Sequence, residues 1–416
     1  MTANCRKKLK QEEIPVNKRG LSRIPGIFLI ICLAAALLSG CGASQDSETR
    51  TGWQEIDGQR YYYLDNGTPA TGWQTIEEQR YYFYGDGVMA TGWLELDGKR
   101  FYLREHGSMV TGWLSLEGQQ YYLGEDGAAA AGLQQIDGQE YLFCADGLLG
   151  SGLVELDGKF YMADAHGQPV YGWGEADGKR YYFGEDGTMV TGWMQLGYDT
   201  YYFLEDGAMA VGETVIDGQT CYFASNGKQL VLVNPWNYVP EDYTVELVDI
   251  ENGHQIAAEA YEDYLALMAD CKAAGLDPVV CSAYRTYEYQ ENLYNRKVKY
   301  WMGLGCSEEE AAAKAGTSVA VPGTSEHQLG LALDIIDNSN WNLNESQAET
   351  ATQQWLMEHS WEYGFILRYP DGTTEQTGII FEPWHYRYVG RETAAEIHGL
   401  DVCLEEYLQM ISGTEK

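Results

Sequence analysis

From Thr51 to Leu230 the chain repeats itself every twenty residues without an insertion, and nothing else in its 416 residues limits the fold so strongly. The units begin at Thr51, Thr71, Thr91, Thr111, Ala131, Ser151, Tyr171, Thr191 and Val211. A full unit reads Thr91-Gly92-Trp93-Leu94-Glu95-Leu96-Asp97-Gly98-Lys99-Arg100-Phe101-Tyr102-Leu103, with a second glycine turn at Gly107. Asp-Gly between alternating apolar residues signals a tight hairpin. A hairpin of this length cannot bury a face alone, so the nine units are expected to stack as a solenoid.

These units resemble the choline-binding and related glucan-binding repeats of bacterial surface proteins, in which aromatic side chains of successive hairpins meet to form ligand cages. Trp53, Trp73, Trp93, Trp113, Trp173 and Trp193 hold the Gly-Trp position, and Tyr62, Tyr82, Tyr102, Tyr122, Tyr182 and Tyr202 follow on the next strand. The resemblance implies that these tryptophans bind a cell-wall polymer or glycan; ring faces that hold a quaternary ammonium give choline recognition its mechanism. The chain departs from the pattern in two ways. Where a tryptophan usually precedes the Tyr pair it has Arg60, Arg80, Arg100, Gln120, Glu140, Phe160, Arg180, Thr200 and Thr220. A cation at the mouth of a cage would repel choline. Units five, six and nine carry Leu133, Leu153 and Glu213 in place of the tryptophan.

The formal charge is −35, and since residues 1–40 carry a net +5 the remainder carries −40. So acidic a body excludes nucleic acid as a partner, because phosphates need a basic face. Basic residues from Arg6 to Arg23 precede an apolar run from Ile27 to Leu38, which is a secretory signal too short for an ordinary membrane-spanning helix. Leu38-Ser39-Gly40-Cys41 resembles the bacterial lipobox, implying lipidation at Cys41 and a membrane partner. Six cysteines lie beyond the leader without C-x-x-C spacing; Cys271 and Cys281 could pair, but spacing does not establish it. The expected organisation is a signal peptide over 1–40, a tether over 41–50, repeats over 51–230 and an enzyme domain over 231–416.

After Leu230 the period stops and helical and strand patterns alternate irregularly, which points to an α+β domain. Helices are expected over 254–274, 286–301, 307–315 and 348–360, and strands over 279–282, 330–336, 378–381 and 385–389. Within it stand Ser325-Glu326-His327-Gln328-Leu329-Gly330-Leu331-Ala332-Leu333-Asp334 and Glu382-Pro383-Trp384-His385. Two imidazoles, one aspartate and one spare glutamate make the inventory of a catalytic zinc site. Side-chain alternation puts Gly330, Ala332 and Asp334 on one face, and a bend at Pro383 is needed to bring Glu382 and His385 together. A non-haem iron triad also uses two histidines and a carboxylate, but commonly with the first pair two residues apart on one strand; here the gap is seven. A serine mechanism lacks its motifs: Ser225…Lys228 is the one S-x-x-K, and it sits in a repeat turn.

S-x-H-x-x-G-x-A-x-D, E-P-W-H and the upstream Ser282-Ala283-Tyr284-Arg285-Thr286 together resemble the VanY-type zinc D-alanyl-D-alanine carboxypeptidases, which trim peptidoglycan stem peptides. The resemblance covers residues 232–412 and implies zinc on His327, Asp334 and His385, Glu382 as general base, Arg285 facing the reacting carbonyl, and Ser325 and Trp384 lining the pocket. A zinc ion with those ligands keeps a net positive charge and lowers the pKa of a water to roughly 7 from about 16. The expected whole is a β-hairpin repeat solenoid followed by an α+β zinc peptidase domain, on the outer face of the cytoplasmic membrane and associated with the wall. L,D-carboxypeptidase or endopeptidase action, and a non-catalytic wall-binding role, stand as alternatives.

Overall fold

The computed structural model describes residues 50–240 and 243–413; the leader, Cys41 and the tether lie outside them. The described residues divide into two compact units, one ending at Val190 and the other beginning at Thr191. No helix among the described residues is long and apolar enough to cross a membrane.

In the first unit each repeat is a two-stranded antiparallel hairpin, as in Gly92–Leu96 paired with Lys99–Leu103. The turn residues Asp97 and Gly98 both have positive φ, at 51° and 74°, the conformation that Asp-Gly adopts most cheaply and that matches the twist of the strands. Each hairpin hands its next turn back to the preceding one: Met89 N donates to Arg60 O at 2.8 Å, Met109 N to Arg80 O at 2.8 Å and Ala129 N to Arg100 O at 2.7 Å. The side chain after the Tyr pair points into the stack, so Phe83, Leu103, Leu123 and Phe143 are fully buried. Gly107 is required at the second turn, since its φ is +89° and a Cβ there would lie 2.2 Å from Met89 Sδ.

The second unit takes the last two hairpins together with the α+β domain. Its central sheet holds β1 (Pro278–Ser282), β2 (Ala332–Asp337), β3 (Phe365–Leu367) and β4 (His385–Tyr388) in the antiparallel order β1-β2-β4-β3. Around it lie α1 (Tyr261–Ala273), α2 (Tyr287–Gly303), α3 (Glu308–Gly316), α4 (Ala351–His359), α5 (Arg391–Leu400) and α6 (Leu404–Ile411). Ser307 and Glu310 form a reciprocal capping box that starts α3, and the Thr286 hydroxyl caps α2.

Several boundaries differ from the expected ones for local reasons. Residues 255–257 form a strand with 247–249 instead of opening α1, and Ala257 N donates to Gly330 O at 2.8 Å. Residues 378–381 are not a strand, because Gly378 has φ +76° and Ile379 N turns to the Thr377 hydroxyl. Strand β3 was not expected. Cys271 and Cys281 are free thiols and do not pair.

The repeat period ends at Leu230, yet compactness begins at Thr191. Ala224 and Leu230 are buried with Ile366, Val389, Ala394, Ile397, Leu404, Tyr407 and Leu408 in one apolar cluster. Lys228 Nζ pairs with Asp199 at 2.6 Å and Glu259 at 2.9 Å, while the Ser225 hydroxyl donates to Glu396 at 2.5 Å. The last two hairpins are therefore part of the same packed body as the sheet.

Candidate metal centre

The sheet register assembles the site. Asp334 on β2 stands directly opposite His385, the first residue of β4, and opposite Ser282 at the end of β1. His327 comes from the 3-10 turn Glu326–Leu329, which stops at Gly330 with φ +72°. A Cβ at Gly330 would lie 3.1 Å from Leu247 Cδ2 and 3.3 Å from Ala257 N, so the motif glycine is fixed by both torsion and space.

His327, Asp334 and His385 are all buried, and one ligand atom from each lies within 4.8 Å of the others. His327 Nδ1 donates to Ala283 O at 2.7 Å; a carbonyl can only accept, so Nε2 is the free nitrogen, 3.2 Å from Asp334 Oδ2. His385 presents Nδ1 to Asp334 Oδ1 at 3.0 Å and Nε2 to Glu326 Oε2 at 3.5 Å. The two rings meet edge to face with centroids 4.9 Å apart.

Glu382 reaches the same place through the turn at Pro383 and Trp384, in which His385 N donates to Glu382 O at 3.1 Å. Its Oε2 is 4.0 Å from His385 Nδ1, close to the donor group but not within it. Arg285 donates through Nη2 to Asp334 Oδ2 at 2.7 Å, through Nε to Ser282 Oγ at 2.8 Å and through Nη1 to Gln290 Oε1 at 3.2 Å. Ser325 and Trp384 line a cavity of about 270 Å³ with these groups and Tyr369, and Arg285 and Lys297 are its cations. A larger cavity of about 450 Å³ lies away from this chemistry, around Lys228 and Tyr243.

Burial raises the Glu382 carboxyl to about 8, with the nearby Asp334 charge adding to the effect. Burial and the Arg285 charge depress the His327 imidazole to about 4. Burial acts the same way on His385, but hydrogen bonds to Asp334 and Glu326 outweigh it and raise that imidazole to about 9. Burial opposes ionisation of Asp334 too, and the two histidines with Arg285 overcome it, holding its carboxyl well below the usual range.

Reasoning from sequence missed Glu326. Its side chain is fully buried, and Oε1 accepts from Arg368 Nε at 2.7 Å and Arg387 Nη1 at 2.8 Å. Arg368 is held from the other side by Glu405 at 2.6 Å. No local pattern marks it, since its neighbours Ser325, His327 and Gln328 are polar as well. Glu326→Gln strips the carboxylate from Arg387, whose other contacts are the neutral carbonyls of Tyr388 and Val231. Breaking a buried pair on one side costs about 3–5 kcal/mol, to be read by denaturant unfolding at neutral pH. Burial disfavours the Glu326 anion, but Arg368 and Arg387 hold its carboxyl below the ordinary value. Its stabilisation is therefore complete above the unfolded carboxylate range and fades as pH falls below about 4. A wild-type advantage independent of acid would contradict the assignment.

An α+β domain with a buried two-histidine, one-aspartate cluster and a glutamate beside it is the architecture of a metal-dependent peptidase. Residues 253–391 match the D-alanyl-D-alanine carboxypeptidase (VanY) family model. The chain belongs to the VanY family. Residues 70–110 and 170–213 match a choline-binding repeat, and 51–68 and 111–129 a cell wall binding repeat. A D-alanyl-D-alanine carboxypeptidase of Enterococcus faecalis is 46% identical over 180 residues, 43% of this chain and 65% of that protein. The bifunctional D-Ala-D-Ala dipeptidase and carboxypeptidase VanXYC of Enterococcus gallinarum is 34% identical over 148 residues, 34% of this chain and 73% of that protein. The solved structure of VanYB with D-alanine-D-alanine is 44% identical, covers 45% of this chain and 98% of its own, and aligns with a TM-score of 0.40. The chain thus spans just under two thirds of the length of the Enterococcus faecalis protein.

Proposed function

We propose that this chain is a zinc-dependent carboxypeptidase that removes the C-terminal D-alanine from peptidoglycan stem peptides. We further propose that its repeats hold it on the wall and that lipidated Cys41 holds it at the outer face of the membrane. The observation that carries the enzymatic reading is the placement of Glu382 beside, but outside, the His327–Asp334–His385 donor group at the floor of a cavity. The donor chemistry fits zinc: two imidazole nitrogens and one carboxylate oxygen suit it, and two such histidines with an acid recur in zinc peptidases. Bound on those three residues, zinc supplies Lewis acidity that activates a water and polarises the scissile carbonyl.

The chain's own groups do the rest. Glu382 accepts the water's proton and returns it to the leaving amine, an acid–base role that its desolvated carboxyl suits. The positive charge of a nearby metal would lower that carboxyl again and keep it an acceptor. Arg285, held at Asp334 and Ser282, faces the developing oxyanion; removing one such donor costs roughly 3–4 kcal/mol of barrier in other enzymes. Arg285 and Lys297, the cavity's cations, suit a substrate that ends in a free carboxylate, with Ser325 and Trp384 shaping its seat.

Mass spectrometry of a stem pentapeptide incubated with the full chain, with zinc and with chelator, tests this reading. Zinc-dependent loss of one alanine is expected. Loss from a tetrapeptide but not a pentapeptide would move the enzyme to the L,D class. Inertness on both would leave a wall-binding protein.

A further inference from the structure

The eighth repeat departs from the others at its first turn. Seven of the nine units place glycine second in that turn; the second unit has Glu78 there and the eighth has Tyr198. In the eighth, Gly197 takes φ +63° while Tyr198 is not among the residues of positive φ, the hairpin turn that needs glycine only at its first position. The second position is thereby freed for a side chain, and the chain sets there an aromatic ring that is 56% exposed. That ring walls the cavity of about 450 Å³ where this hairpin meets the peptidase domain. The volume falls in the range of roughly 300–1,000 Å³ usual for small-molecule sites.

The charges around the cavity decide what class of ligand it suits. Lys228 and Arg387 are its cations. Lys228 is outnumbered by Asp199 at 2.6 Å and Glu259 at 2.9 Å, and Arg387 is taken up by Glu326 at 2.8 Å. Neither is left to recognise an anion, and the lining Glu246 adds a further negative charge. Nor is a cation well served, because Lys228 already holds Asp199 and Glu259, and Glu246 is exposed to water. The other polar walls are the amides of Gln195 and Gln229 and the hydroxyls of Thr200 and Thr244, groups that both donate and accept. A tyrosine ring, apolar in body and polar at its tip, completes them. A pyranose sugar has the matching surface: hydroxyls that donate and accept around its rim, and C–H groups on its faces.

We propose that this cavity binds a neutral saccharide, with Tyr198 as the stacking platform and Gln195, Thr200, Gln229 and Thr244 meeting the hydroxyls. The site uses one turn of one hairpin and is completed by the peptidase domain, so it is separate from the Gly-Trp positions of the repeat stack. The Tyr243 hydroxyl in its wall donates to Leu329 O at 2.9 Å, at the end of the turn that carries His327. A sugar strand seated here is held on the same packed body as the metal centre. The inference rests on the wall role proposed above and names the wall component gripped at this point, the sugar strand and not the stem peptide.

Calorimetric titration of the full chain with tetra-N-acetylchitotetraose, a neutral glycan, tests the site. The wild-type chain should bind it, and Tyr198→Gly, which restores the usual turn glycine, should weaken binding about tenfold or more. Tyr198→Trp keeps a ring and should stay within about threefold of wild type. An acidic glycan, tetragalacturonic acid, should bind at least about tenfold more weakly than the neutral one. No uptake by the wild-type chain, unchanged affinity in Tyr198→Gly, an equal loss in Tyr198→Trp, or equal affinity for the acidic glycan would each overturn the proposal. Turnover of a soluble stem pentapeptide should be the same in both variants; a parallel fall would make Tyr198 a structural residue and overturn the assignment. Retention on isolated walls is read separately. Glycan binding without retention leaves the site standing and removes the wall role, and retention without glycan binding does the reverse.

Discussion

Glu382→Gln is expected to lower turnover of a stem pentapeptide by about 10²–10⁴-fold while leaving zinc bound. The substitution keeps the shape of the side chain and removes its ability to take a proton. Zinc should stay because the donor group consists of His327, Asp334 and His385, with Glu382 Oε2 4.0 Å from the nearest histidine nitrogen. Metal content by chelator release and kcat by product analysis separate the two effects. A variant that has lost its zinc would make Glu382 a ligand, and one that retains full turnover would remove it from the reaction. A lower kcat with unchanged KM is the expected signature, since the lost interaction belongs to the transition state.

The second large effect concerns where the chain can be cut. Residues 191–416 should fold and melt cooperatively, and residues 231–416 should melt at least about 10 °C lower or not fold. The shorter piece loses Leu230, which is 4% exposed, and Ala224, which is fully buried, from a cluster that also packs β3 and helices α5 and α6. Losing one buried leucine side chain costs about 2–5 kcal/mol, a large share of the 5–15 kcal/mol that holds a typical domain. It also takes Lys228 from Glu259, and the Val231 carbonyl that receives Arg387 would then sit at a frayed end. Equal melting temperatures for the two pieces would show that the last hairpins are ornament on a self-sufficient domain.

Much of this was readable from residue order because the physics involved is local. Asp97-Gly98 specifies a tight turn that fixes the register of its hairpin, while Glu77-Glu78 holds the same positive φ at 50° and 64° without a glycine. The spacing of His327, Gly330 and Asp334 reflects a tight turn feeding a strand, and the required φ at Gly330 explains the glycine. The unread parts depend on partners distant in sequence. Glu326 is held by Arg368 and Arg387, 42 and 61 residues away, and no periodicity announces that pairing. Strand β3, three residues long, is too short to show alternation. Composition changes at residue 230 because the period stops there, whereas packing continues across it through Leu230.

In a stack whose units touch only their neighbours, each hairpin can fray almost independently of those beyond the next. The arginines that precede the Tyr pairs change that arithmetic. Besides covering its own tryptophan, Arg60 donates to His106 O at 3.4 Å, Arg80 to Asp126 O at 3.4 Å and Arg100 to Asp146 O, each skipping one whole repeat. Three overlapping clasps make repeats one to five a single cooperative block, like bricks laid in running bond. Repeat five adds a clasp of different chemistry, its Glu140 carboxylate accepting from the Tyr171 hydroxyl of repeat seven at 2.5 Å. Under pulling force or protease attack, repeats joined in this way are expected to yield together rather than one at a time.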